Sequence, residues 1–226
     1  MNIIYLILAR KGSVRIKNKN LKKIQNKSLV QRSIEFTKKI SKIENIVLST
    51  DSRKIREIGI KQGLKIPSLR PRNLSKSSTS SYETARYEIE KYEKNNKSID
   101  AVILIQPSTP FRSINTFKKL KKIFIKESNK PLITIKKLPL NSDRLLKKKK
   151  KYIVNYDNKK KEAIYVPNGS YFFISKKNLL VNKSFFSKSM NYYEIKNYKE
   201  NIDIDNKEDL FFARNLLKKN WKDVKN

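Results

Sequence analysis

The sequence contains neither cysteine nor histidine. Without thiols there is no disulfide, no thiolate metal site and no cysteine nucleophile. Without imidazole, proton transfer and metal binding fall to carboxylates, amines or phenols. Glycine is scarce, at four residues, and acids number 20 against 54 lysines and arginines. No apolar run approaches the roughly 20 residues of a membrane-spanning helix. The N-terminus also lacks a signal-peptide pattern, so the expectation is a soluble, cytoplasmic protein with no membrane partner.

The excess of cations gives a formal charge of +34, which invites a nucleic-acid reading. The lysines, however, spread along nearly every polar face, and asparagine and isoleucine are abundant too. Aromatics do not interleave with glycines as an RNA-stacking platform requires. This distribution reads as compositional drift and argues against nucleic acid as the main ligand.

The apolar residues come in periodic blocks, and 226 residues suffice for one domain with a sizeable core. Ile3 to Ala9 is an apolar run of strand type, Leu29 to Ile40 has helical spacing, and Ile46 to Thr50 reads as a second buried strand. Asp51 or Ser52 can cap the helix that follows, which ends near Gly63. This rhythm predicts βαβ units and a parallel sheet. A serine-rich turn, Ser75 to Ser81, leads into a helix around Tyr82 to Tyr92. The clearest strand, Ala101 to Ile105, precedes a helix capped by Ser113, a further strand is expected at Leu132 to Ile135, and regular structure returns at Tyr165 to Ile174, followed by a short helix and by Tyr192 to Ile195. A closing helix is expected over Lys207 to Lys219. Residues 136–162 differ from both flanks: they carry the run Lys147 to Lys151 and the cluster Lys159 to Lys161, and read as a hairpin or extended arm with a basic face.

Two stretches carry chemistry on their own residues. The first strand breaks into Arg10-Lys11-Gly12-Ser13 and a loop bearing Arg15, Lys17 and Lys19 before Asn20. A strand ending in a small-residue, cation-rich loop suits a phosphate, although a solvated basic turn fits the same pattern. In Ile202-Asp203-Ile204-Asp205, alternation along an extended strand puts both carboxylates on one face. Oxygen-only ligation of this kind suits Mg²⁺ on a nucleotide, while a solvated pair ahead of a helix capped by Asn206 is the alternative.

The loop from Ala9 to Leu21, A-R-x-G-S-x-x-I-x-x-K-N-L, resembles the nucleotide-binding loop of the acylneuraminate cytidylyltransferases. Ser49-Thr50-Asp51, Gln106 to Arg112, and Ile202 to Asp205 with Glu208-Asp209-Leu210 resemble the same family in the same order. The resemblance runs almost end to end. It implies an α/β fold of the nucleotide-diphospho-sugar transferase type: a single cytidylyltransferase domain over residues 1–226, with a Rossmann-like, mostly parallel sheet flanked by helices. Residues 136–162 would form a protruding dimerisation arm on a homodimer. It also implies the activation of a nine-carbon 2-keto sugar acid with CTP, giving the CMP-sugar and pyrophosphate.

By the same resemblance, Ala9, Arg10, Gly12, Ser13, Arg15, Lys19, Asn20, Ser80 and Ser81 would bind CTP. Asp203 and Asp205 would hold Mg²⁺ and, with Arg10, act in catalysis. Gln106, Arg112, Asn168, Phe172, Phe185 and Phe186 would contact the sugar, with Pro167 to Ser170 matching the family's Asn-Gly-Ala turn. Packing in the core is an alternative for the two phenylalanines, for Phe186 no less than for Phe185. The chain departs from the family at Val14-Arg15, where Lys-Gly is usual, at Ser77, where Asp is common, and at Asn141, where the sialic acid enzymes tend to carry lysine. These departures leave open a legionaminic, pseudaminic or eight-carbon acid as substrate. More distantly, they leave open a basic nucleic-acid-binding or catalytically degenerate homologue of the same fold.

Overall fold

The apolar runs form strands at the centre of the molecule. The structure, a computed structural model, describes residues 1–94, 98–138, 146–149, 152–155 and 163–217. In chain order, β1 (Ile3–Leu8) leads through a small hairpin of β2 (Lys23–Ile24) and β3 (Lys27–Ser28) into α1 (Leu29–Lys38). Then come β4 (Ile46–Ser49), α2 (Arg53–Lys61), α3 (Ser81–Glu93), β5 (Ala101–Leu104), α4 (Ile114–Lys126) and β6 (Leu132–Lys137). After these follow β7 (Leu146–Lys149), β8 (Tyr152–Asn155), β9 (Tyr165–Ser175), α5 (Lys176–Asn182), β10 (Asn191–Glu194) and α6 (Lys207–Asn215).

One sheet has the order β10-β6-β9-β5-β1-β4. β1 pairs in parallel with β4 and β5, and β10 pairs in parallel with β6. β9 is inserted antiparallel between β5 and β6. The α/β sheet flanked by helices is therefore present, with one reversed strand in its middle. β1 reads as an unbroken apolar run because both of its faces are covered. Ile3, Tyr5 and Ile7 pack with Val30 and Ile34 of α1 and Phe117 and Leu120 of α4. Ile4 and Leu6 pack on the other face with Ala85 and Ile89 of α3 and Leu179 of α5. Each fully buried aliphatic side chain of this kind contributes on the order of 2 kcal/mol.

Among the described residues a serine or asparagine caps each of the six α-helices: Ser28, Ser52, Ser80, Ser113, Ser175 and Asn206. At α2 the cap is Ser52, and Asp51 instead accepts the Lys11 N–H at 2.6 Å. No helix among the described residues is long and apolar enough to cross a membrane.

Two expectations need correction. Residues 202–205 are extended but not a strand. Their backbone is tied to loops, with the Ile204 N–H donating to Ser108 O at 2.9 Å and the Ile202 N–H to Lys199 O at 3.3 Å, and Asn206 starts a helix at once. The closing helix also ends earlier than expected, at Asn215. In the arm region, β7 and β8 pair antiparallel, while Asn141, Lys150, Lys151 and Lys159 to Lys161 lie outside the described residues.

Candidate active site

The loop after β1 is held at several points. Ala9 donates its N–H to Ser49 O at 2.9 Å, Asp51 holds the Lys11 N–H, and the Asn20 amide donates to Arg10 O at 2.9 Å. Ile16 is buried in a third apolar cluster with Ile24 and Leu29, and with Ile202, Ile204 and Leu210. That cluster docks the loop against the segment carrying Asp203 and Asp205. The alternation expected of this segment survives without a strand: its isoleucines are buried, and its aspartates turn toward a cavity.

The cavity measures about 670 Å³. Arg10, Gly12, Ser13, Arg15, Lys19 and Asn20 line it from the loop, and Ser80 and Ser81 from the start of α3. Gln106 lines it from beyond the end of β5, opposite Asp203 and Asp205. Eleven of the residues singled out in the sequence thus meet in one place. Ala9 is fully buried and does not line the cavity, and Val14, which does, stands 84% exposed. Ser77 is exposed and does not line the cavity. A Cβ at Gly12 would meet no protein atom within 4 Å, so nothing in the fold itself calls for glycine there.

The cavity carries charge of both signs. Asp205 pairs with Arg15 at 3.0 Å and with Lys19 at 3.3 Å, and Lys19 also donates to Ile204 O at 2.9 Å. Asp203 sits deeper, and its buried Oδ1 has no hydrogen-bond partner among the described residues. Burial lifts its carboxyl above the usual range. A hydrogen bond from Ser108 opposes that lift, neighbouring Asp205 adds to it, and Lys19 and Lys136 oppose it from further off.

A smaller hollow of about 180 Å³ adjoins the cavity through Ser80, Ser81 and Gln106. Phe172, Phe185 and Phe186 wall it, with Phe172 edge-on to both neighbours at 6.3 and 5.6 Å between ring centroids. The core reading fits Phe185, which is 4% exposed, and not Phe186, which is 47% exposed. Phe186 lies outside the core clusters because its backbone is turned by Ser184, whose hydroxyl accepts the Phe186 N–H at 2.9 Å. Lys183, in the left-handed conformation at the end of α5, is the one cation of this lining among the described residues.

Two residues expected at the sugar line neither of these spaces. Arg112 is half-buried and clamps the backbone: its guanidinium donates to Ser170 O at 3.2 Å, to Gln106 O and to the Thr109 hydroxyl. It also packs between the rings of Phe36 and Tyr171. Burial draws its pKa down to about 10, so it stays charged at neutral pH. Asn168 is fully buried; it accepts from Thr134 and the Ser170 N–H, and donates to Glu200 O and Asn201. Both residues hold the turn that presents Gln106 and Gly169, and neither lines the cavity or the hollow. Arg112→Met leaves the Ser170 and Gln106 carbonyls without their charged donor and is expected to cost about 2 kcal/mol of stability, read from the denaturant midpoint. A cost below about 1 kcal/mol would refute this structural role.

Sequence reading missed Arg70, Thr79, Thr84 and Ser108, all of which line the cavity. Arg70 lies in the proline-containing stretch 66–74, where an arginine gives no periodic signal.

Residues 4–225 match the sequence profile of a family described as Cytidylyltransferase. The chain belongs to the cytidylyltransferase family. It is 29% identical over 230 residues to the CMP-N,N'-diacetyllegionaminic acid synthase of Legionella pneumophila, covering 97% of this chain and 98% of that one. It is 28% identical to the N-acylneuraminate cytidylyltransferase of Escherichia coli, covering 96% of this chain but only 52% of that longer protein. Among solved structures, the CMP:2-keto-3-deoxy-manno-octonic acid synthetase complexed with CTP has a TM-score of 0.64 at 16% identity. That likeness covers 96% of this chain and 98% of the other, and shows the shared fold.

Proposed function

We propose that this cytidylyltransferase activates a nine-carbon 2-keto sugar acid with CTP. The anomeric hydroxyl oxygen of the sugar attacks the α-phosphorus, the bond to the oxygen bridging to the β-phosphorus breaks, and pyrophosphate leaves as the CMP-sugar forms. The observation that carries this reading is the pair of connected spaces: a charged cavity with an Arg10 loop and an Asp pair, joined through Gln106 to an aromatic hollow.

In this reading Arg10, Ser13, Arg15 and Lys19 face the phosphates, where oriented cations and N–H groups act without reorganising. Ser80 and Ser81 lie at the turn between the two spaces, the place of the base. Ser80 is fixed there by a reciprocal cap, its hydroxyl accepting the Glu83 N–H and the Glu83 carboxylate accepting the Ser80 N–H. Gln106 and the phenylalanines receive the sugar, and Lys183 supplies positive charge for its carboxylate. Holding hydroxyl and phosphorus in line accounts for much of such catalysis.

The carboxylates fit a hard divalent cation. The donor set is oxygen only, and the unpartnered buried Oδ1 of Asp203 calls for a positive partner. Among the described residues no third acid joins them, so water and phosphate oxygens would complete the ligand set. When bound by Asp203 and Asp205, Mg²⁺ would neutralise phosphate charge and lower the pKa of the attacking hydroxyl. The family resemblance also supports a homodimer joined through the arm at 136–162, and dependence on CTP suits a cytoplasmic enzyme.

The test is pyrophosphate release with CTP and Mg²⁺ across N-acetylneuraminic, legionaminic, pseudaminic and eight-carbon keto-deoxy acids, with EDTA as control. EDTA-sensitive release with a nine-carbon acid is the expected result. Release with the eight-carbon acid alone would correct the substrate class, and oligonucleotide binding without CTP turnover would overturn the reading. Arg10→Ala is expected to raise KM for CTP about tenfold or more, the loss of one hydrogen bond to a charged group. An unchanged CTP dependence would remove the loop from the phosphate site.

A further inference from the structure

α3 carries an acid on its buried face. Thr84, Ala85 and Ile89 turn inward as the helical period requires, and Glu88 turns inward with them, only 5% exposed. A buried carboxylate is costly, and an apolar residue of similar volume at such a position is commonly neutral or stabilising. Stability therefore gives no reason for a glutamate here, whereas its contacts do.

The Ser49 hydroxyl, at the end of β4, donates to Glu88 Oε1 at 2.6 Å. The same hydroxyl oxygen accepts from Arg70 Nε at 2.9 Å, and Ser49 O accepts from Arg70 Nη2 at 2.7 Å. A hydroxyl has a single proton. With that proton committed to Glu88, the oxygen lone pairs are left facing the guanidinium, so the acid fixes the rotor that fixes the arginine.

Arg70 is 6% exposed and lines the larger cavity alongside Arg10. Burial lowers its pKa, Glu88 is the foremost charge opposing that fall, Asp51 follows, and Arg10 adds to the fall. Two cations thus converge on one cavity wall, and the second is drawn back by a buried counter-charge. The segment bearing Arg70 is irregular and attaches here through the backbone bond from Arg70 N–H to Thr50 O at 2.7 Å. The guanidinium depends on Ser49 and Glu88 for its orientation.

We infer that Glu88 is a positioning residue for the nucleotide: through Ser49 it holds the Arg70 guanidinium in the orientation that binds CTP. The inference rests on the reading of the larger cavity as the CTP site.

The experiment compares Glu88→Leu, Glu88→Gln, Arg70→Met and the double variant Arg70→Met/Glu88→Leu with the parent enzyme. CTP binding is followed by calorimetry and turnover by pyrophosphate release. Glu88→Leu is expected to weaken CTP binding and raise KM for CTP about tenfold, the scale of one hydrogen bond to a charged group. KM for the sugar acid should change by far less, and kcat less than KM for CTP. Glu88→Gln keeps an acceptor for the Ser49 proton and should recover most of the affinity; it also carries the test if Glu88→Leu does not fold. The double variant should bind CTP no worse than Arg70→Met alone, because the acid acts through the arginine. Independent, multiplying losses would overturn the inference, as would equal changes in both KM values or unchanged CTP affinity in Glu88→Leu. A parent enzyme that fails to bind CTP would overturn the cavity reading itself, and this outcome is visible before any variant is made.

Discussion

Asp205→Asn is expected to fold as the parent does and to lose turnover by about 100-fold or more. The two halves of this expectation have separate grounds. Asp205 is partly exposed, and its partners Arg15 and Lys19 reach it from the loop with side-chain exposures of 62% and 19%. Pairs this open contribute at most about 1 kcal/mol, so the fold survives neutralisation. Asparagine also keeps the shape and leaves the α6 cap intact, because the Asp205 N–H bonds Asp209 through the backbone. Function has no such margin. Among the described residues the protein offers two carboxylates to a cation at this cavity, and the amide would supply a neutral oxygen in place of one of them. Melting temperature and pyrophosphate release against Mg²⁺ concentration check both halves. Turnover near the parent's, at any Mg²⁺ level, would dismiss Asp205 as a metal ligand.

The sheet and most of the site were legible because their signals are local. β1 is apolar on both faces, and this reads directly as a strand covered on two sides. Ser52, Ser113 and Asn206 sit where hydrophobic periodicity begins, and each caps its helix. Arg10, Gln106 and Asp205 are each recognisable in their own short motif, and burial of the isoleucines beside them brings the motifs together. The reversed direction of β9 was not legible, since an inward run such as Tyr171 to Ile174 reads the same in either orientation. Nor was the true place of Arg112. Its neighbours in sequence suggest a ligand, whereas the acceptors that hold it, above all Ser170 O, come from 58 positions away. Arg70 escaped for a related reason. The signal that could have found it was Glu88 on the inward face of a helix, an acid that must be answered by a buried donor.

Gly169→Ala is expected to lower turnover at least tenfold at a stability cost of about 1–2 kcal/mol. Gly169 has φ +76, where an alanine is strained whatever the space around it. Here there is also no space: a Cβ would lie 2.9 Å from Asp203 Oδ2 and 3.3 Å from both Gln106 Oε1 and Thr109 Cγ2. Asp203 cannot retreat freely, because Ile202 and Ile204 on either side are anchored in the core and Ser108 holds the carboxylate. One methyl group therefore presses at once on a proposed metal ligand and on the glutamine proposed to face the sugar. Gly63 supplies the control, with φ +89 and a would-be Cβ 3.0 Å from Ile43 Cδ1, in a part of the molecule that does not line the site. Gly63→Ala meets a similar backbone penalty without touching a carboxylate, so it should lose comparable stability and keep its turnover. Melting curves and initial rates on the two variants separate strain from displacement. If Gly169→Ala also keeps its turnover, the position of Asp203 is not what the reaction depends on.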